Sequence, residues 1–114
     1  MFPFRAIIPE LDEDENDTVI RWGEMNEGIV HDYAIKAAVE LMADESEDLI
    51  VIVEFFTCKT DIIPFADIIV ERDEIETVFD DAESYYVRVE EYEKAAEVKT
   101  IRERLNIKSK LYGK

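Results

Sequence analysis

Six carboxylates crowd into the stretch from Glu10 to Asp17 (Glu10, Asp12, Glu13, Asp14, Glu15 and Asp17), and the first chemistry such a density suggests is cation binding. A calcium loop of the EF-hand type needs ligands at alternating positions, a glycine at the sixth for the sharp turn, and a bidentate glutamate at the twelfth. Counted from Asp12, Asp14 and Asn16 fall where ligands belong, but Asp17 stands sixth and Gly23 twelfth. The stretch fails at both diagnostic places, so no dedicated metal site and no cofactor is expected.

Covalent chemistry has little to draw on. The chain holds one histidine, His31, and one cysteine, Cys58, which would have to meet across the fold with an orienting third group. His31 leads along one helix side to Ile35, Ala38 and Met42, which reads as a packed structural histidine, and Cys58 reads as a small core or edge residue. No glycine-rich phosphate loop is present. Paired carboxylates could serve a hydrolase, but 29 acids guarantee many accidental pairs. A small carboxylate-dependent enzyme is therefore the third-ranked reading, behind two binding roles.

Charge separates those roles. The formal net charge is −16, unevenly spread: residues 99–114 carry six basic side chains against one acid, leaving 28 acids and 7 bases in residues 1–98, a net −21 against +5. An anionic body of this strength disfavours direct binding of nucleic acid or of anionic lipid. Solubility alone is the competing explanation of the charge. With 114 residues, 47% of them hydrophobic, one compact domain is expected, as 1–107, followed by a basic, mobile tail, 108–114. The single cysteine excludes an internal disulfide and no secretory pattern opens the chain, so the expected setting is cytoplasmic. The longest apolar run, "LIVIV" from Leu49, is too short to span about 30 Å of hydrocarbon.

The elements follow from periodicity. "MFPFRAII" and "TVIRWGEM" read as two strands joined by the acidic loop, the second with Ile20 and Trp22 on one face and Arg21 on the other. Asn26 is a candidate N-cap for a helix over about 28–44, in which Asp32, Lys36, Glu40 and Asp44 form a solvated stripe while Ala34, Ile35, Ala38, Val39, Leu41 and Met42 fill the remainder. "DLIVIVEFFT" has the unbroken apolar character of a strand covered on both faces or set at a sheet centre, and "FADIIVERDE" reads as another strand, limited at its start by Pro64, which cannot donate to a ladder. From Ile75 the period becomes three and four, with Asp73 and Glu76 resembling an acidic capping box, although "YYVRVEEY" also alternates like a strand. Beyond Ala96 the apolar positions Val98, Ile101 and Leu105 rotate to another face, which implies a bend, a break or a second contact surface. The expected fold is α+β: a small, mainly antiparallel sheet of about four strands, one buried helix and a long C-terminal helical region.

On a helix over 73–97, Asp73, Glu76, Asp80, Glu83, Glu90 and Glu97 fall on one broad flank, with neighbours about 5–6 Å apart. Like charges at this spacing destabilise a helix by a few tenths of a kcal/mol per pair, so a chain optimised only for folding would intersperse lysines. Fixed carboxylates at such intervals can imitate the charge of duplex DNA, one per about 1.7 Å of axis. The loop acids Asp12, Glu13, Asp14, Glu15 and Asp17, and Glu45, Glu47 and Asp48 of "ADESED", extend the same field. The leading expectation is a non-enzymatic inhibitor that binds a basic, nucleic-acid-binding protein through these residues. Its small size, acidity and lack of catalytic motifs have the general appearance of phage or mobile-element counter-defence inhibitors of the anti-restriction and anti-CRISPR type, a likeness of composition with no aligned motif.

The alternative is an immunity-type, antitoxin-type or adaptor protein that holds one basic partner through aromatic anchors such as Trp22, Tyr85, Tyr86 or Tyr92. The tyrosines also have a plain reading, as core residues with their hydroxyls at the rim. A homodimer through the tyrosine-rich helix or the Val98, Ile101 and Leu105 face is a further arrangement open to the sequence.

Overall fold

Residues 2–8, 14–58 and 61–107 are described by the computed structural model of the chain. Strand β1 is Phe4–Ile8, followed by helices α1 (Glu15–Met25) and α2 (Glu27–Ala43), strands β2 (Leu49–Cys58) and β3 (Ile62–Glu71), a single 3-10 turn (Arg72–Glu74), and helices α3 (Ile75–Arg88) and α4 (Tyr92–Arg104). The expected α+β class with a small sheet and a long C-terminal helical region is what the chain adopts. The tail 108–114, with Asp12 and Glu13, lies outside the described residues. Among the described residues no helix is long and apolar enough to cross a membrane.

Two local expectations are corrected. "TVIRWGEM" is helix, not strand, so the expected hairpin is absent. Asp14 caps α1, its carboxylate accepting the Asn16 N–H at 2.8 Å, and the first-turn acids Glu15 and Asp17 are favoured at the positive end of the helix dipole. Ile20 and Trp22, which would share one face of a strand, diverge on a helix: Ile20 is exposed, whereas Trp22 turns inward against Phe4 and Phe55, at ring-centroid distances of 5.8 and 5.2 Å. The sheet consequently has three described strands rather than about four and is mixed rather than mainly antiparallel, in the order β1-β2-β3, with β1 parallel and β3 antiparallel to the central β2. A parallel pair requires a crossover, and α1 with α2 supplies it.

The β2 segment is central because its residue types tolerate burial throughout. A register shift between Val51 and Val53 lets the adjacent Ile52 and Val53 both lie in the core beside Phe55. Helix α2 meets this layer through Ala34, Ile35, Ala37, Ala38 and Leu41, all buried, while its stripe of Asp32, Lys36, Glu40 and Asp44 stays in solvent as expected. Asn26 does stand at the α2 N-cap, but its side-chain amide donates back to the Trp22 carbonyl at 2.9 Å and so joins α1 to α2.

The C-terminal region is two helices. The break falls at Val89–Glu91, inside the helix expected over 73–97 and earlier than the change of face expected beyond Ala96, a point that lies within the unbroken α4; "YYVR" is helical. The capping box lies two residues earlier than expected: Glu71 and Glu74 cap each other, with the Glu74 carboxylate accepting the Glu71 N–H at 2.9 Å. Helix α4 folds back along α3. Arg102, buried near the α4 end, donates to Asp80 and to Glu83 of α3, each at 2.8 Å.

Such a buried cation between two carboxylates is costly to break, because either partner left alone is a desolvated charge. Arg102→Ala is expected to destabilise the fold by about 3–5 kcal/mol. Replacing Arg102, Asp80 and Glu83 together with apolar residues of similar volume should cost far less. Urea unfolding followed by circular dichroism separates the two, and equal losses would contradict this account of the contact.

Candidate functional site

The twelve described carboxylates of the fourteen singled out by their spacing do not form one surface. Asp14, Glu15 and Asp17 are exposed around the start of α1, where each also serves the helix terminus. Glu45, Glu47 and Asp48 are exposed in the α2–β2 connection. Asp73 is exposed in the 3-10 turn, Glu76 is half-buried in the first turn of α3, and Glu90 and Glu97 are exposed at the α3–α4 corner and on α4. Asp80 corrects the expectation: only 4% exposed and bonded to Arg102, it contributes nothing to an outer surface. Glu83, half-buried, is held by the same arginine. Because α4 turns back, Glu97 also leaves the flank that a continuous helix would have given it.

What sequence reasoning missed is the use made of the arginines. Arg72 donates to the main-chain carbonyls of Leu41 and Asp44, both at 2.7 Å, and of Glu47, bracing the end of α2 against β3. Arg102 is spent inside the helical hairpin, and Arg88 pairs with Glu27 at 2.7 Å. Arg72 and Arg102 are thus committed to joints of the fold and Arg88 to an exposed pair with Glu27, so none of the three is left to neutralise other surface acids. The carboxylates outside keep much of their charge uncompensated. Their field reaches inward: the Tyr86 hydroxyl is pushed up to about 12, by burial first and then by Asp32, Glu91, its neighbour Tyr85 and Glu97.

At the corner, α3 ends in a Schellman arrangement. The Glu90 N–H donates to Val87 at 3.0 Å and the Glu91 N–H to Tyr86 at 2.8 Å, with Glu90 left-handed at φ 63°. Glycine is the usual residue there, and a carboxylate at a helix C-terminus also opposes the dipole. Beside it Val87, Val89 and Tyr92 are 50%, 42% and 61% exposed, so the corner presents apolar side chains bordered by Glu90, Glu91 and Glu93. Of the aromatic anchors the sequence suggested, only Tyr92 is freely exposed; Tyr86 is buried and Trp22 and Tyr85 are half-buried.

A second concentration of polar groups lies between α2 and α3, where Glu27, His31, Asp81, Ser84, Tyr85 and Arg88 line a cleft of about 340 Å³. His31 is half-buried as a packed histidine should be, but its packing partner is Tyr85, stacked at 4.6 Å and 27°. Burial outweighs the attraction of Glu27 and Asp81 and holds the imidazole pKa below its ordinary 6.5. Among the described residues, Glu71, Asp73 and Glu74 could bring ligand atoms within 4.8 Å of one another, but all are exposed and two of them form the capping box.

No protein-family model matches the chain, and neither a curated protein nor a solved structure is significantly similar to it.

Two outcomes follow from this geometry. Since His31 holds a proton less readily folded than unfolded, its contribution to stability is present above about pH 6.5 and is lost as pH falls through the lower, folded pKa. Unfolding free energies between pH 7.5 and 5.5 should show this slope, reduced in His31→Gln; an equal slope in the variant would assign it to other groups. Glu90→Gly removes the left-handed strain and should raise stability by up to about 1 kcal/mol in thermal or urea unfolding. A loss would mean that the carboxylate holds the corner together.

Proposed function

We propose that this chain is a non-enzymatic acidic binding protein that docks on a positively charged protein, a nucleic-acid-binding enzyme, and blocks its anion-binding surface by presenting carboxylates in place of phosphates. The observation that carries the reading is the division of labour among charges. Arg72 and Arg102 brace the fold and Arg88 is taken up by Glu27, whereas Asp14, Glu15, Asp17, Glu45, Glu47, Asp48, Asp73, Glu90 and Glu97 stand exposed. An arrangement of this kind sacrifices folding stability to self-repulsion and gains a long-range field that speeds encounter with a basic surface.

The corner of Val87, Val89 and Tyr92 favours a second form of the same role, in which one basic partner is gripped at a few desolvated anchors. The two forms differ in how loss is distributed. A broad mimic tolerates single acid-to-amide changes, each weakening binding about two- to fivefold at low salt, whereas an anchored binder fails on Tyr92→Ala alone.

Affinity capture from lysate of the source cells, eluted stepwise with salt, tests both. A nucleic-acid enzyme that is displaced by rising salt and by competing duplex DNA supports the mimic. Retention despite excess DNA transfers support to the anchored form, and the absence of any retained protein at low salt removes both for that cell.

A further inference from the structure

The cleft between α2 and α3 combines three features that recognise one kind of side chain. Its lining includes an aromatic pair, the half-buried Tyr85 ring stacked with His31 at 4.6 Å. Two carboxylates line it as well, Glu27 from the first turn of α2 and Asp81 from α3. Among the described residues Asp81 makes no ion pair, although it is close enough to act on His31 electrostatically. A planar cation that stacks on a ring while its N–H groups reach carboxylates is a guanidinium; an ammonium lacks the plane and the fork.

Arg88 demonstrates the chemistry within the chain. Its guanidinium carbon lies over the Tyr85 ring, 5.4 Å from the centroid, and its Nη2 donates to Glu27 at 2.7 Å. Its side chain is nevertheless 64% exposed, so the pair is of the weak, solvent-screened kind and displacement costs little. The neighbouring imidazole is largely neutral at pH 7, burial having lowered its pKa, and does not oppose an incoming cation.

We propose that this cleft receives an arginine side chain of a basic partner, which stacks on Tyr85, takes Glu27 and Asp81 as its carboxylates, and displaces Arg88. The partner's arginine gains over Arg88 through Asp81, the carboxylate that Arg88 leaves without an ion pair. The inference rests on the reading of the chain as a binder of basic proteins and gives that reading a specific contact.

The test uses the whole chain and a defined probe, a blocked Gly-Arg-Gly peptide, with its lysine and citrulline counterparts, titrated at low salt while the ring signals of His31 and Tyr85 are followed by NMR. The arginine peptide is expected to shift both rings saturably, the lysine peptide more weakly, and the uncharged citrulline peptide not at all. Arg88→Ala should tighten arginine binding up to about fivefold by removing the internal competitor, and Asp81→Asn should weaken it by a comparable factor. Both residues are exposed, so neither variant threatens the fold. Equal binding of citrulline, or weaker or unchanged binding in Arg88→Ala, would overturn the proposal. Because no partner protein enters the titration, its outcome is separable from the capture experiment. A cleft that binds arginine beside a failed capture sinks the binding role alone, and a captured partner beside a silent cleft sinks this inference alone.

Discussion

The buried pairing of Arg102 with Asp80 and Glu83 is the contact on which the C-terminal half of the molecule depends. Helix α3 buries Phe79, Ala82 and Tyr86 and helix α4 buries Ala95 and Val98, and to this non-directional packing the buried pair adds a directional contact that sets how the helices lie together. Among the described residues no buried polar side-chain atom lacks a hydrogen-bond partner, and this interior charge meets that requirement with a carboxylate at each side. With α3 set in this way, Tyr85 and Tyr86 come against His31 of α2, and the cleft between the helices follows.

A second constraint is the scarcity of cations. The chain has 13 lysines and arginines against 29 acids, and the placements of Arg72, Arg88 and Arg102 show where they are used. Arginine suits all three places because a planar fork can satisfy several oxygens at once, as Arg72 does with three carbonyls at the end of α2. The same geometry in Arg88 links the fold to the proposed binding role. There the pair with Glu27 is solvent-exposed, and the place Arg88 occupies is the one the proposal gives to a partner's side chain.

Much of the architecture could be read locally. The helix over α2 and the strand β2 declare themselves through composition and period, since Ile52, Val53 and Phe55 suit a sheet centre and the Asp32–Asp44 stripe suits a solvated helix face. Of "FADIIVERDE", by contrast, only residues 65–71 are strand, and β3 begins before Pro64, the residue expected to limit it. The helix α1 was obscured because a stretch of only eight residues, in which Ile20, Arg21 and Trp22 alternate, is too short for period to separate helix from strand. The deciding information was the Asp14 cap and the contact of Trp22 with Phe4 and Phe55, the latter distant in sequence. Asp80 was misplaced for a related reason: a helical wheel shows the flank on which a residue lies, not whether another helix will cover it.

By itself the sequence determined the charge of this protein, its α+β class and the identity of its main buried segments, because these depend on residue type and short-range periodicity. Tertiary structure decided which charges remain outside. Only the return of α4 along α3 removes Asp80 from the surface and consumes Arg102, and only the packing of α3 on α2 brings Glu27, His31, Asp81, Tyr85 and Arg88 into one cleft. Burial and pairing of a charge depend on groups far apart in the chain, and those distances are closed only when the helices pack.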